Sequence, residues 1–460
     1  MDRRSFIATT AALAVGTPMV ARTHEPWRQP VRPRPTAAQL QWQRDELAMF
    51  LHFGVNTFTD REWGDGTEDP AIFNPAQLDA RQWARIARTT GFRAMVLTAK
   101  HHDGFCLWPT ATTNHSVKAS PFRGGSGDVV REFVEACRAE GLRVGLYCSP
   151  WDRNHPTYGD SDRYNAVFHQ QLTELLTQYG PIHEVWFDGA NGEGPNGKKQ
   201  VYDWPANFGL VKRLQPSAVI FSDAGPDVRW CGNEKGMAGE PNWSTVDPAL
   251  VPYPGADGPR IIAALQHGDR DGSVWRPSEA DTSIRPGWFY HPAQDGDVRS
   301  VENLVELYFN SVGRNSKLLL NVPPTRAGLI HDVDFARLAG MRSRLNALFA
   351  TDATAASPVE SDIRGRRASS SVRLLNPARI GVVRLSEDIE QGQMVARYEL
   401  AGLVDGTWRP LTAGTTIGHA KLDRFPAVTV SALRVTVTDA ADTPGPIGIS
   451  AYAAPGESAG

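Results

Sequence analysis

Between about residues 45 and 345 the chain alternates short apolar runs with stretches of helical period, and eight apolar runs can be counted. Strands separated by helices return to the same sheet edge through right-handed crossovers and so lie parallel. Eight such units predict an α/β fold, a (β/α)8-like (TIM-type) barrel. The predicted strands cover 49–53, 93–99, 143–147, 183–187, 218–222, a weak run before Trp243, 284–290 and 317–322. Predicted helices cover 78–90, 163–179, 201–214, 301–312 and 334–349, with another after Asp128, whose carboxylate can cap it and whose apolar face is Val130, Phe133, Val134 and Cys137. Gly91 and Gly141 sit where helices of this kind end. The segment between Gly225 and Pro292 is irregular and rich in Gly, Pro and Trp, which predicts long loops around a substrate site. The barrel is assigned to 36–350; period-two segments at 371–374, 380–385, 394–400 and 432–437 then predict a C-terminal all-β sandwich domain over 356–455.

The chain begins with Arg3-Arg4-Ser5-Phe6-Ile7 and a short run of small and apolar residues, which resembles a twin-arginine signal peptide over 1–22. A Pro-rich lead-in over 23–35 follows, and the expected location is periplasmic or secreted. The apolar run is too short to span a bilayer, so no membrane insertion is expected of the mature chain. A net charge of -3 without a long basic run argues against nucleic acid as a partner. Cys106, Cys137, Cys148 and Cys231 have no metal-binding spacing and are expected to be mostly free, buried thiols.

In a β/α barrel the chemistry lies at the C-terminal ends of the strands. Within Glu184-Val185-Trp186-Phe187-Asp188-Gly189, strand alternation puts Trp186 and Asp188 on one face and Val185 and Phe187 on the other. A carboxylate beside an indole suits sugar binding and cleavage; the same local sequence also fits an Asp capping a helix before Gly189. Other strand ends bring His52, Glu62, Trp63, His101, His102, Tyr147, Ser149 and Trp151. Later loops bring Asp227, Arg229, Trp230, Asn233, Glu234, Glu279, Asp281, Arg285 and Trp288. Adjacent His101 and His102 point to opposite faces in extended chain, which disfavours a metal site. Neutral imidazoles bonding sugar hydroxyls fit better, with Trp63, Trp151 and Trp186 as flat apolar walls.

These segments, His52-Phe53-Gly54, Glu62-Trp63, His101-His102-Asp103-Gly104-Phe105, Tyr147-Cys148-Ser149 and Trp186-Phe187-Asp188-Gly189, make the chain resemble the α-L-fucosidases of glycoside hydrolase family 29. The resemblance implies that Asp188 is the nucleophile and that His52, Glu62, Trp63, His101, His102, Tyr147 and Trp186 bind fucose. Arg229-Trp230-Cys231-Gly232-Asn233-Glu234 resembles the acid/base motif of the branch acting on α-1,3 and α-1,4 linkages, which makes Glu234 the acid/base. Glu279 competes for that role, with substrate binding as its other reading. Such an enzyme would be a retaining, exo-acting hydrolase of fucosylated glycans without metal or organic cofactor, its two carboxyls about 5 to 5.5 Å apart. A catalytically silent lectin-like protein using the same pocket is the alternative, and a metal-dependent barrel hydrolase a third.

Overall fold

Short parallel strands cannot satisfy their backbone groups alone, and among the described residues eight of them do so in one sheet. They are β1 (Leu47–Leu51), β2 (Ala94–Lys100), β3 (Arg143–Cys148), β4 (Glu184–Trp186), β5 (Val219–Phe221), β6 (Arg229–Trp230), β7 (Ser278–Ser283) and β8 (Ser316–Asn321). Their order is β5-β4-β3-β2-β1-β8-β7-β6, with every pairing parallel. The ring is nearly closed, because a parallel bridge joins Phe221 at the end of β5 to Val228 just before β6. The computed structural model describes residues 32–454. The predicted signal peptide over 1–22 and most of the lead-in over 23–35 lie outside the described residues.

Two of the eight strands differ from the sequence reading. The sixth is Arg229–Trp230, whereas Thr245–Val246, after Trp243, pairs antiparallel with Val274–Trp275 in a separate ribbon. The seventh is Ser278–Ser283 and not 284–290. Its sequence, Ser-Glu-Ala-Asp-Thr-Ser, hides a fully buried strand because its inward positions are carboxyls. The apolar run after it holds Pro286 and Gly287, which do not sustain a ladder.

Side-chain alternation divides the barrel into two apolar regions. Met49, Leu51, Met95, Leu97, Val144, Leu146, Val185, Phe187, Leu318 and Leu320 face the covering helices. Ala48, Phe50, Val96, Tyr147, Trp186, Phe221 and Leu319 fill the interior with Trp42. The helix Val129–Ala139 begins on the side-chain cap predicted for it, Asp128 Oδ1 accepting from Arg131 N at 2.9 Å. All four cysteines are free and buried, as expected.

Charge is also buried in the barrel. Lys317 Nζ lies 3.0 Å from Glu184 Oε2 and 3.7 Å from Glu279 Oε2, all three side chains wholly enclosed, and 4.5 Å from the centre of the Trp42 ring. Two carboxyl groups share one ammonium, and burial followed by the charge of Glu184 pushes the Glu279 carboxyl well above its ordinary range.

The C-terminal region is an antiparallel sheet, six-stranded among the described residues: β9 (Val359–Arg364), β10 (Arg367–Ser386), β11 (Val395–Val404), β12 (Thr407–Gly414), β13 (Lys421–Ala440) and β14 (Gly448–Tyr452). The long strands β10 and β13 break register twice along their pairing, and the sheet encloses one apolar core around Val383, Leu400, Leu433 and Val435. It meets the barrel through apolar packing, in which Val382, Leu422 and Tyr452 join the barrel's outer core, and through polar contacts. Arg384 pairs with Glu46, which His419 Nε2 also approaches at 3.3 Å; Arg270 grips Asp439 with bonds of 2.8 and 3.0 Å; and Ser244 N donates to Gln393 Oε1 at 2.7 Å.

Removing the shared ammonium strands two buried carboxyls. Lys317→Met is expected to destabilise the protein by about 3–5 kcal/mol, measured as a lower urea midpoint. Arg88→Ala, which breaks only the exposed contact to Glu140 at 3.2 Å, should change stability by about 0–1 kcal/mol.

Candidate active site

A cavity of about 220 Å³ opens at the C-terminal ends of the strands, lined by Phe50, His52, Trp63, His101, His102, Tyr147, Trp186, Asp188, Ala190, Glu234, Asp281 and Trp288. Of the residues singled out from sequence, it brings together His52, Trp63, His101, His102, Tyr147, Trp186, Asp188, Glu234, Asp281 and Trp288. Glu62 and Glu279 are outside the lining.

Asp188 follows β4 and is held by two donors, with Tyr147 Oη at 3.0 Å from Oδ2 and the Ala190 amide at 2.8 Å from Oδ1. No helix starts at Gly189; the next one, Trp204–Leu214, is capped by Asp203, so the capping reading of Asp188 fails. The turn admits only glycine after it, because a Cβ on Gly189 would lie 2.5 Å from Asp223 Oδ2 and 2.6 Å from Gly255 N.

The histidines are neutral. Burial, opposed by the bond to Asn321 and aided by His102, holds His52 at about 3. Asn321 Nδ2 donates to Trp288 O at 2.7 Å and to Ser283 Oγ at 2.9 Å, so its oxygen is the acceptor for His52 Nδ1–H at 2.9 Å. That fixes the tautomer and leaves His52 Nε2 with a lone pair. His102 is fixed in the same way: Ser149 Oγ donates to Trp151 O at 2.7 Å and receives His102 Nδ1–H at 2.8 Å. Burial lowers the pKa of His102 against the pull of Asp188, whose Oδ2 lies 3.7 Å from Nε2. His101, lowered well below its ordinary value by burial and then His102, has an unpartnered Nδ1.

Aromatic rings form the walls. Trp186 stacks on Phe221 at 4.0 Å and donates its indole N–H to Glu279 Oε1 at 2.9 Å. Glu279 is thus a support beneath Trp186, enclosed away from the cavity. Trp63, 56% exposed, stands at the rim edge-on to Trp151 with centroids 6.0 Å apart. Glu62 sits behind the rim, accepting the backbone amide of Trp288 and, at 3.1 Å, His291 Nε2. Glu62 therefore positions Trp288, a wall residue read in the sequence only as one of many on late loops.

Glu234 comes from the loop after β6. The residue is exposed to solvent overall, and its carboxyl is partly buried where it lines the cavity. That burial, then the charge of Asp188 and more weakly Glu62, raises its pKa against a bond from Trp288. Three other late-loop candidates are structural. Arg229 bonds Leu265 O and Asn242 Oδ1, each at 2.8 Å; Arg285 is buried against Asp334 at 2.9 Å; and Asp227 pairs with Lys212 at 2.6 Å. Phe50 went unnoticed, although its place two residues before His52 on β1 puts it on the same face. Among the described residues no group of three or more His, Cys, Asp or Glu is arranged to hold a metal ion.

A family model described as alpha-L-fucosidase matches residues 68–347. The chain belongs to the alpha-L-fucosidase family. Alpha-L-fucosidase 1 of Arabidopsis thaliana is 42% identical over 444 residues, spanning 90% of this chain and 86% of the plant protein. The crystal structure of SpGH29 superposes with a TM-score of 0.87 at 40% identity, covering 93% of this chain and 99% of that one. A GH29 fucosidase of Ruminococcus gnavus, solved in complex with fucose, gives a TM-score of 0.81 at 29% identity, covering 93% and 96%. The fold of this fucosidase, a barrel followed by an antiparallel β domain, is the one those relatives share.

Tyr147 holds Asp188 without belonging to its strand. Tyr147→Phe removes one bond to a charged group and is expected to lower kcat/KM on an aryl α-L-fucoside by about ten- to a hundredfold, with the melting temperature little changed.

Proposed function

We propose that this fucosidase releases terminal L-fucose with retention of configuration, Asp188 acting as nucleophile and Glu234 as acid/base. The observation behind this reading is that the two carboxyls line one cavity in different surroundings. Asp188 accepts two hydrogen bonds that hold its carboxyl in place at the end of β4. Glu234 has its pKa raised by burial and then by Asp188, which favours the protonated form needed to assist a leaving oxygen. Asp188 attacks the anomeric carbon as Glu234 gives its proton to the glycosidic oxygen. Glu234, now a base, then takes a proton from the water that opens the glycosyl ester. His52, His101 and His102 bond sugar hydroxyls as neutral imidazoles, and Trp63, Tyr147 and Trp186 form the wall. Glu62 and Glu279 act one layer back, through Trp288 and Trp186.

Preference for α-1,3 and α-1,4 linkages follows from the resemblance of Arg229 to Glu234 to the motif of that branch. Export follows from the arginine pair and apolar run at the N-terminus. Among the described residues no helix is long and apolar enough to cross a membrane. The lectin-like alternative gains no support from a cavity that retains both carboxyls.

Proton NMR of the first-released sugar tests the stereochemistry, with α-L-fucose expected and β-L-fucose incompatible with the mechanism. Asp188→Asn should abolish release. Glu234 works protonated and its pKa is raised, so kcat/KM should fall as pH rises through that value, and Glu234→Gln should lose this alkaline limb. The same Gln variant should be slowed far more on a natural oligosaccharide than on an aryl fucoside, whose leaving group needs little protonation. Parallel assays on a branched Lewis-type and a linear α-1,2-fucosylated oligosaccharide test linkage: equal release from both would discard the branch assignment.

A further inference from the structure

Strand β7 points two carboxyls into the barrel, Glu279 and, one step nearer the mouth, Asp281. Glu279 is answered by Trp186 and Lys317. Asp281 lies in the cavity wall with Asp188 and Glu234 while being only 4% exposed. Trp230 Nε1 donates to its Oδ1 at 2.7 Å. Apart from Trp230 and its own amide, the Asp281 carboxyl has no hydrogen-bond partner among the described residues. A carboxyl enclosed this far and left incompletely bonded at a cavity wall needs a partner from the cavity.

We propose that Asp281 is a third functional carboxyl of this site, contacting the bound sugar through the oxygen that Trp230 leaves free. The proposal rests on the reading in which Asp188 and Glu234 flank the scissile bond. The groups facing Asp281 are Asp188 beyond β4, Glu234 and the Cys231 thiol beyond β6, and Glu279 on its own strand. Among the described residues no cation is directed at it: Lys317 of the adjoining β8 bonds Glu184, and Arg299 bonds Ser283 O at 2.7 Å and, on the outer face of β7, Thr282 Oγ1 at 3.2 Å. Burial, then Glu234 and more weakly Asp188, push the carboxyl well above the usual range against the bond from Trp230. Asp281 therefore keeps its proton. It accepts the indole N–H at its carbonyl oxygen and donates its O–H to a sugar hydroxyl, whereas an ionised carboxylate only accepts.

Native enzyme, Asp188→Asn, Asp281→Asn and Asp281→Ala would be compared for L-fucose binding by calorimetry, for melting temperature and for the pH profile of kcat/KM on an aryl fucoside. The first two report the underlying reading, since Asp188→Asn must bind fucose without cleaving the fucoside. Asp281→Asn, whose amide both donates and accepts, is expected to bind within about threefold of native and to keep the alkaline limb in place. Asp281→Ala should bind about tenfold or more weakly. Equal binding by the Ala variant overturns the proposal. So does an Asn variant as weak as Ala with its alkaline limb moved to lower pH, because removing an ionised neighbour lets Glu234 lose its proton sooner. If the Ala variant does not fold, infrared difference spectra of native enzyme decide. A protonated-carboxyl band absent from Asp281→Asn should shift when L-fucose is added, and a band that stays put overturns the proposal.

Discussion

One ammonium group holds the interior of this barrel together. Lys317 reaches Glu184 on the far strand and Glu279 on the adjoining one, over the Trp42 ring. Glu279 in turn receives the indole N–H of Trp186, the wall against which the proposed nucleophile stands. Burying three ionisable groups is costly unless each is answered, and here the answers run in series from the closed end of the barrel to the open end. The register of Lys317 opposite Glu279 is set by the parallel ladder itself, so the backbone pairing and the charge network enforce the same arrangement.

Above that chain the site works by withholding charge. Three adjacent imidazoles in a closed wall would repel as cations, and burial keeps them neutral. Their tautomers are fixed from behind, by Asn321 for His52 and by Ser149 for His102. A neutral ring with one nitrogen committed to the protein presents the other as a directed hydrogen-bonding group, which suits the mixed donor and acceptor pattern of a sugar. Crowding acts on the carboxyls of Glu234 and Asp281 in the same sense, raising both.

The barrel was legible wherever inward positions were apolar or aromatic. β1 to β5 and β8 read correctly from their hydrophobic runs, and the pairing of Trp186 with Asp188 on one face follows from alternation alone. β7 was missed because a strand whose inward side chains are Glu279 and Asp281 has no hydrophobic signal, and β6 because two residues carry no period at all. Glu279 looked like a site residue for the same reason: in a sequence, a carboxyl that props up a tryptophan and one that meets substrate are indistinguishable. Trp288 and Asp281 lie after irregular connections, and only the folded chain tells such wall residues from Arg229 and Arg285, which tie loops together.

The weak point in the ring has a consequence of its own. β4, which leads to Asp188, is flanked by ladders on both sides, while β6, which leads to Glu234, is two residues long and adjoins the seam closed by the Phe221 to Val228 bridge. In the proposed mechanism, the half of the site that meets the sugar being removed is thereby built into the strand held by ladders on both sides. The half that meets whatever the sugar was attached to hangs beside a joint. Insertions or altered loops at that joint can be absorbed without disturbing β4, so descendants of one barrel can exchange leaving groups while keeping the same glycone.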